Sequence, residues 1–344
     1  MIAASSSTSQ PQTGAAFGAQ SWRRALADAI TDPAELLSIL QLDPALLPAA
    51  QHAATRFPLR VPRGFVARMR PGDPKDPLLR QVLPLADELL ETEGYTDDAV
   101  GDLASRAAPN LLHKYEKRAL ILATGACGVH CRYCFRRHYP YSQEHTRGAD
   151  WQVTLDYLRS DASIQEIILS GGDPLTLGDR RLAAMCADLQ TIPHLRRLRI
   201  HTRQPIVLPE RVDQGFCAWL DSVRLRKIIV LHCNHAQEID ASVRDACTRL
   251  AASGATLFNQ AVLLAGINDS AEALCNLSEA LFAAQVSPYY LHMLDRVQGA
   301  AHFDVPEARA RTLLAEVAAQ LPGYLVPRLV REVPGAKGKT SVTL

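Results

Sequence analysis

The feature that most constrains the fold is a repeated alternation that begins near Arg118. Short apolar runs rich in aliphatic residues are separated there by amphipathic stretches of helical length. Six strands are predicted: Ala119–Thr124, Glu166–Ser170, Arg197–His201, Lys227–His232, Thr256–Leu264 and Pro288–Leu294. Nearly continuous apolar strands that alternate with helices indicate a parallel sheet covered by helices. We therefore predict an α/β fold, a partial (β/α)6 barrel, with a doubly wound open sheet as the alternative.

Helical patterns fall between these strands and also precede them. The helices predicted in the repeats are Val153–Ser160, Arg180–Leu189, Asp213–Val223, Ala241–Ala252, Ala271–Ala284 and Pro306–Gln320. Those predicted before the first strand are Trp22–Ile30, Pro33–Leu40, Pro77–Glu93 and Asp97–Ala107. Three regions follow: a flexible tail over 1–20, a helical N-terminal region over 21–112 and the main domain over 113–344.

Composition excludes several classes of protein. The chain has 344 residues and a formal net charge of +1, which predicts no broad surface for nucleic acid or membrane. Residues 1–20 lack the basic start and apolar core of a signal peptide, so we expect a cytoplasmic location. There are eight cysteines, and in such a protein a disulfide framework is not expected. Five are scattered and predicted to be core residues: Cys186, Cys217, Cys233, Cys247 and Cys275.

The other three cysteines share one loop after the first predicted strand, where Cys127, Cys131 and Cys134 have a C-x3-C-x2-C spacing. Three thiolates suit a [4Fe–4S] cluster with one iron left open for a further ligand. The alternative is zinc with His130 or His138 as fourth ligand, although no second C-x2-C pair exists. The spacing resembles the signature of the radical S-adenosylmethionine (SAM) superfamily, which implies a cluster that cleaves SAM to a radical.

A second motif, Ser170-Gly-Gly-Asp-Pro174, follows the second predicted strand. Its two glycines allow close approach of the backbone to a ligand, and Asp173 could pair with an ammonium group. Without the cysteine loop, an ordinary turn after a strand would explain it equally well. The motif resembles the superfamily's second motif, which implies that Ser170, Gly171, Gly172 and Asp173 bind SAM.

Further motifs resemble a narrower family. They are His113-Lys-Tyr-Glu-Lys-Arg118, Pro288-Tyr-Tyr-Leu-His-Met-Leu-Asp295, Gly299-Ala-Ala-His302-Phe and the segment from Tyr324 to Thr340. Over about residues 60–344 the sequence resembles the lysine 2,3-aminomutase family. The resemblance implies two cofactors besides the cluster, SAM and pyridoxal 5′-phosphate (PLP), and transfer of the α-amino group of lysine to its β-carbon.

The resemblance also implies residue roles. Lys339 matches the Schiff-base lysine, with Lys337 as a rival. Without the rest of the match this segment would be interpreted as a basic tail. Arg118 and Lys114 match the anchors of the PLP phosphate, although the family usually has arginine at the position of Lys114. Arg136 matches the group that binds the substrate carboxylate. Asp295 and Glu332 match the two acids for the ε-ammonium, the second usually aspartate, and His232 and Gln260 match positions near SAM.

Within the family, the helical N-terminal region and an end five residues after Lys339 resemble the branch that makes (R)-β-lysine for elongation factor P (EF-P). A partner ligase attaches the product to EF-P. The alternatives are a catabolic lysine aminomutase, a glutamate-type aminomutase and a radical SAM enzyme without PLP. A protein without catalytic activity, stabilised by zinc or an iron–sulfur cluster, is a further alternative.

Overall fold

The computed structural model describes residues 15–144, 146 and 148–343. Its centre is one sheet in which ten strands follow one another in chain order. Strands β3 to β9 are parallel, whereas β1, β2 and β10 extend the two edges in antiparallel pairs. The strands are β1 Arg106–Ala108, β2 Leu111–Tyr115, β3 Arg118–Thr124, β4 Glu166–Gly171, β5 Arg197–Thr202, β6 Arg226–Leu231, β7 Thr256–Val262, β8 Ser287–His292, β9 Arg328–Arg331 and β10 Thr340–Ser341.

Helices connect the parallel strands, as expected for crossovers between parallel neighbours. In the N-terminal region the helices are α1 Ala15–Ala27, α2 Pro33–Ile39, α3 Leu47–Arg56 and α4 Arg63–Val66. In the repeats they are α5 Gly148–Ser160, α6 Asp179–Leu189, α7 Gln204–Val207, α8 Gln214–Ser222, α9 Ala241–Ala252, α10 Ala271–Ala283 and α11 Glu307–Gln320. None of the helices in the described part of the chain has the length and apolar character that a membrane span requires.

The two faces of the sheet differ in character because side chains alternate along each strand. One face carries apolar side chains such as Ile121, Leu169 and Ile200, which pack against the helices in the largest core. The alternate positions, which we call the inner face, carry many polar side chains. They include Arg118, Ser170, Arg199, His201, His232, Gln260, Tyr290 and His292. A polar inner face is the side of the sheet suited to a ligand.

The sheet curls until its two edges approach each other. The Tyr115 hydroxyl on β2 donates a hydrogen bond to Glu332, which directly follows β9. Lys114 Nζ lies 3.9 Å from a Glu332 carboxylate oxygen. No backbone pairing joins β1 to β10 among the described strands, so side chains bridge the gap. The predicted partial barrel is confirmed, and β9 adds a seventh parallel strand that the sequence pattern did not predict.

The N-terminal region has its own apolar core, built around Trp22, Leu36 and Phe65. That core also contains Val129 of the cysteine loop and Val207 of α7, so the region packs directly on the parallel domain. Of the predicted tail, residues 1–14 lie outside the described residues, and α1 begins at Ala15.

Two predicted helices in this region are wrong. Pro77–Glu93 contains only short 3₁₀ turns, because Pro84 lacks the N–H that a helix interior requires. Asp97–Ala107 is broken at Gly101, which has φ +67°, and ends in β1. The remaining predicted helices are confirmed, with ends that differ by up to several residues.

Candidate active site

The cysteine loop and the Ser170 motif lie side by side because β3 and β4 are parallel and in register. Leu122 pairs with Ser170, and Thr124 with Gly171, so both strands end at the same edge. The Gly172 amide donates to Thr124 O at 2.7 Å. A Cβ built on Gly172 would lie 2.4 Å from Ala126 O. The glycine is therefore required for contact with the cysteine loop itself.

The three loop cysteines carry free thiols. Burial, and then the neighbouring thiols of Cys134 and Cys131, raise the pKa of Cys127. Burial raises the pKa of Cys134 to about 11, with Cys131 adding to the shift. In the described residues, no three His, Cys, Asp or Glu side chains are placed to hold a metal ion directly. Three thiols on one loop, close enough to act on one another's pKa, fit a cluster by donor chemistry.

The histidines proposed as zinc ligands are engaged elsewhere. His130 Nδ1 lies 2.9 Å from Pro58 O, and its ring stacks on Phe57. His138 Nε2 lies 3.2 Å from Gln298 O and 3.6 Å from Asp97. Neither contact involves a loop cysteine, which argues against the zinc alternative.

Asp173 is occupied by protein donors. Its carboxylate accepts hydrogen bonds from the amides of Leu175, Arg203 and Gln204 at 3.0, 2.7 and 3.1 Å. It also accepts one from the Thr202 hydroxyl at 2.8 Å. Burial raises its pKa to about 6, although all these donors oppose the shift. The side chain organises the ends of β4 and β5, and a contact with the SAM ammonium stays a prediction.

Arg136 begins a chain of polar contacts that leads from the Ser170 motif to the sheet edge. Its Nη1 donates to Ser170 Oγ at 3.1 Å, and its Nε to Asp102 at 2.6 Å. The other oxygen of Asp102 lies 2.6 Å from Lys114 Nζ. Burial lowers the pKa of Arg136, but the charge and hydrogen bond of Asp102 outweigh burial and raise it. Asp102 thus holds two of the predicted ligand-binding cations.

The chain continues to Lys339 through a hairpin. Strands β9 and β10 pair Arg331 with Thr340, so Glu332 and Lys339 face each other at the base of the connecting loop. Lys339 Nζ lies 3.0 Å from Glu332 Oε2. The amine also lies 5.9 Å from the centre of the Tyr290 ring on the inner face. Lys337 is exposed, which makes Lys339 the better placed of the two lysines.

Asp295 and Glu332 differ in their partners. Burial raises the pKa of Asp295 to about 7, Lys339 opposes the shift and Glu332 adds to it. No side-chain hydrogen bond or ion pair of its carboxylate occurs in the part of the chain that the structure describes. Glu332 has Tyr115 and Lys339 as donors, which lower its pKa against the effect of burial. Asp295 therefore forms no ion pair with any described residue, although the charge of Lys339 reaches it.

Histidines line the inner face beside Lys339. His232 and Gln260 contact each other, with their Nε2 atoms 2.9 Å apart. Burial lowers the pKa of His232 to about 3, and Arg203 and Lys339 add to the shift. The Nε2 atoms of His201 and His292 have no hydrogen-bond partner among the described residues. These two histidines were missed by the sequence analysis, although both alternate with other inner-face residues on their strands.

The two predicted phosphate anchors differ in whether other protein groups already bind them. Lys114 is engaged by Asp102 and by Val100 O, the latter at 2.7 Å. Arg118 lies at the amino end of β3, with its guanidinium 4.4 Å above the centre of the Tyr115 ring. It forms no ion pair with any described residue. Arg118 is therefore the available cation of the two.

The structure thus links five of the predicted residues and adds some that were not predicted. Ser170, Arg136, Lys114, Glu332 and Lys339 are connected through polar contacts, whereas Arg118 lies apart at the other end of β3. Asp102 was missed because it lies in a segment wrongly predicted as helix. Its signal was a buried acid between two cations, and only the fold reveals that arrangement.

A curled parallel sheet, with a three-cysteine loop after its first parallel strand, defines an α/β protein of the partial-barrel class. No family model matches the chain. It is 47% identical to the L-lysine 2,3-aminomutase of Escherichia coli (strain K12), over 94% of this chain and 95% of the relative. It is 44% identical to the L-lysine 2,3-aminomutase of Haemophilus influenzae, over 93% and 95%.

A crystal structure of a radical SAM methyltransferase from Sphaerobacter thermophilus is similar with a TM-score of 0.46 and 15% identity, over 67% of this chain and 72% of that chain. The chain belongs to the lysine 2,3-aminomutase family. It is accordingly an isomerase of the aminomutase class.

Proposed function

We propose that this chain converts (S)-α-lysine to (R)-β-lysine with a [4Fe–4S] cluster, SAM and PLP. The observation that carries the proposal is the position of the Lys339 amine. It lies at the inner face beside Asp295 and Glu332, and a chain of polar contacts connects it to Ser170 next to the cysteine loop. The cysteine loop and the Lys339 amine can thus belong to one active site on the inner face of the sheet.

Cys127, Cys131 and Cys134 would hold the cluster, leaving one iron for SAM. Ser170, Gly171 and Gly172 lie against this loop, where they can position SAM, and His232 and Gln260 lie deeper on the inner face. When bound, the cluster and SAM would supply the one-electron chemistry needed for hydrogen abstraction from the substrate. The residues of the chain bind, orient and exclude water.

PLP fits this inner face by three features. Lys339 supplies an amine that can bind the aldehyde. Arg118 supplies a guanidinium, without an ion pair among the described residues, for the phosphate, and Lys114 could add a second cation. When bound, PLP supplies an aromatic ring that can delocalise an unpaired electron.

The charged groups of the proposed site are complementary to those of lysine. Arg136 would bind the lysine carboxylate, because a guanidinium forms paired hydrogen bonds with a carboxylate. Asp295 would bind the ε-ammonium, because its carboxylate forms no ion pair with any described residue. Glu332 is a second acid for the same ammonium. A substrate with an acidic side chain would instead place a second anion beside Asp295, so the glutamate-type alternative is disfavoured.

We further propose that the product serves EF-P in the cytoplasm, where a ligase attaches it to a lysine of the factor. The resemblance of the sequence to that branch supports this role. In cells that lack this chain, mass spectrometry of EF-P should find no β-lysyl group, and added β-lysine should restore it. Unchanged EF-P would refute the role.

The decisive experiment is anaerobic reconstitution with iron, sulfide and PLP, followed by incubation with SAM, dithionite and (S)-α-lysine. We expect β-lysine only when SAM and PLP are both present. 5′-Deoxyadenosine without β-lysine would support the radical chemistry but overturn the lysine assignment. Turnover without PLP would favour the radical SAM alternative that needs no PLP.

A further inference from the structure

Cys131 has a charged neighbour that the proposed reaction does not use. Arg203 follows β5 and is 5% exposed. Its Nη1 donates to Cys131 Sγ at 2.8 Å and to the Tyr133 hydroxyl at 2.6 Å. Among the described residues, no side-chain hydrogen bond reaches the sulfur of Cys127 or Cys134. Arg203 therefore singles out one of the three cysteines.

The position of Arg203 is fixed by other buried groups. Its Nη2 donates to Gln81 Oε1 at 2.6 Å and to Glu238 Oε2 at 2.9 Å. Glu238 and Gln81 are both fully buried. Glu238 Oε1 in turn accepts from Gln81 Nε2 and from the amides of Asn234 and His235, all within 3.0 Å. Few alternative positions remain for a guanidinium held this way.

A purely structural arginine would have little reason to donate to sulfur. A neutral thiol is a weak acceptor, whereas a thiolate bound to iron carries charge and accepts strongly. Hydrogen bonds to cluster sulfurs and nearby positive charge both raise the reduction potential of iron–sulfur clusters. We propose that Arg203 is a positioning residue that donates to the Cys131 thiolate and makes the cluster easier to reduce, with Glu238 and Gln81 holding it in place.

This inference rests on the proposed function, because it assumes that the three cysteines hold the cluster. It also explains part of the N-terminal region, because Gln81 comes from that region and reaches the cluster end of the sheet. The Phe65 ring from the same region lies 5.5 Å from the Arg203 guanidinium. The N-terminal region would then influence electron transfer as well as packing.

The test is a redox titration of the full-length reconstituted protein without SAM, with dithionite as reductant and the reduced cluster followed by electron paramagnetic resonance. The main variant is Arg203→Met with Glu238→Gln, which removes both charges of the buried pair and leaves none uncompensated. We expect full iron and sulfide content and a midpoint potential more negative than in the unaltered protein. Arg203→Lys keeps the charge but not the fork, so we expect a smaller shift in the same direction.

The matched control is Arg211→Met with Asp179→Asn. Arg211 is also buried and pairs with Asp179 at 2.7 Å, but it contacts none of the three cysteines. The midpoint potential of the cluster in this control variant should be unchanged. An unaltered potential in the Arg203 double variant with full iron would overturn the inference. If the double variant loses iron, the midpoint potential of Arg203→Lys tests the inference instead. A more negative potential would support it, and an unchanged potential would overturn it. If the unaltered protein assembles no cluster, the proposed function falls with the inference.

Discussion

The two ends of the proposed active site are held in different ways. The cysteine loop is enclosed by the N-terminal region, with fully buried ion pairs such as Arg132–Glu88 behind it. The Lys339 hairpin lies at a sheet edge, where Val333 and Pro334 are exposed and the Lys339 side chain is 24% exposed. Packing from many directions fixes the first end. An ion pair and a short antiparallel pairing fix the second. The contrast suits a cofactor bound through a covalent bond, because that bond supplies positioning that the hairpin alone does not.

The largest expected effect is that of a change at Lys339, which should affect the hairpin end of the proposed site and leave the cysteine loop unaltered. Lys339→Ala should abolish the PLP absorbance band and reduce β-lysine formation by at least about 1,000-fold, because its amine is the proposed attachment point. Iron and sulfide content should not change. Lys337→Ala is the matched control and should retain the band. The reverse pattern would identify Lys337 as the attachment point.

Asp295→Asn should lower kcat/KM for lysine by about 100-fold, since a buried charge-assisted contact is lost. With a pKa of about 7, Asp295 ionises as pH rises through 7, so lysine should bind more tightly at pH 8 than at pH 6. Asp295→Asn should remove this dependence. An unchanged pH profile of lysine affinity in the variant would contradict the assignment.

The same carboxyl affects stability. Its folded pKa lies above the ordinary value of 3.8, so the folded protein holds an extra proton between pH 4 and 7. The free energy of unfolding therefore falls as pH rises through that window. Without ligands at pH 8, thermal unfolding of Asp295→Asn should occur at a higher temperature than for the unaltered protein. A lower Tm would indicate that Asp295 has a stabilising partner.

Asp102→Asn tests the connection between the two ends. It leaves Arg136 and Lys114 without their shared carboxylate, and breaking a buried pair typically costs about 3–5 kcal/mol. We expect a lower Tm and about a 10-fold loss of kcat/KM for lysine. Asp156→Asn, which breaks the exposed pair with Arg159, should change neither quantity. Full activity of Asp102→Asn would show that the two ends do not depend on each other.

The smallest effect concerns the cysteine loop. Gly172→Ala places a Cβ against Ala126 O and should displace the loop, at a cost of about 1–3 kcal/mol. We expect iron content after reconstitution to fall about two-fold. Gly323→Ala has no atom within 4 Å of its new Cβ and should bind iron normally. Equal iron content in both variants would mean that the loop tolerates movement.

The sequence predicted what is encoded locally. Six parallel strands were correct because short hydrophobic runs recur between helical stretches, and the cysteine loop was recognisable within eight residues. Strand β9 was missed because Arg328–Arg331 is four residues long with a charge at each end. Two helices were wrong because Pro84 and Gly101 were given too little weight.

The partners of the candidate site residues could not be predicted from spacing. Tyr115 and Glu332 are 217 residues apart, and Asp102 and Arg136 are 34 apart. Such pairs form only when the sheet curls and brings its edges together. Resemblance to a family suggested Glu332 as a substrate ligand, but only the three-dimensional arrangement reveals that Lys339 is its present partner.

The order of strands in the sheet has a consequence for biosynthesis. Because the strands follow one another in chain order, the ribosome delivers β3 to β8, with the whole cysteine loop, before Glu332 and Lys339 have been made. Domains generally begin to fold from the N-terminal side during synthesis. A nascent chain can therefore fold the end that contains the cysteine loop before Lys339 has been synthesised, and the last segment then completes the proposed active site.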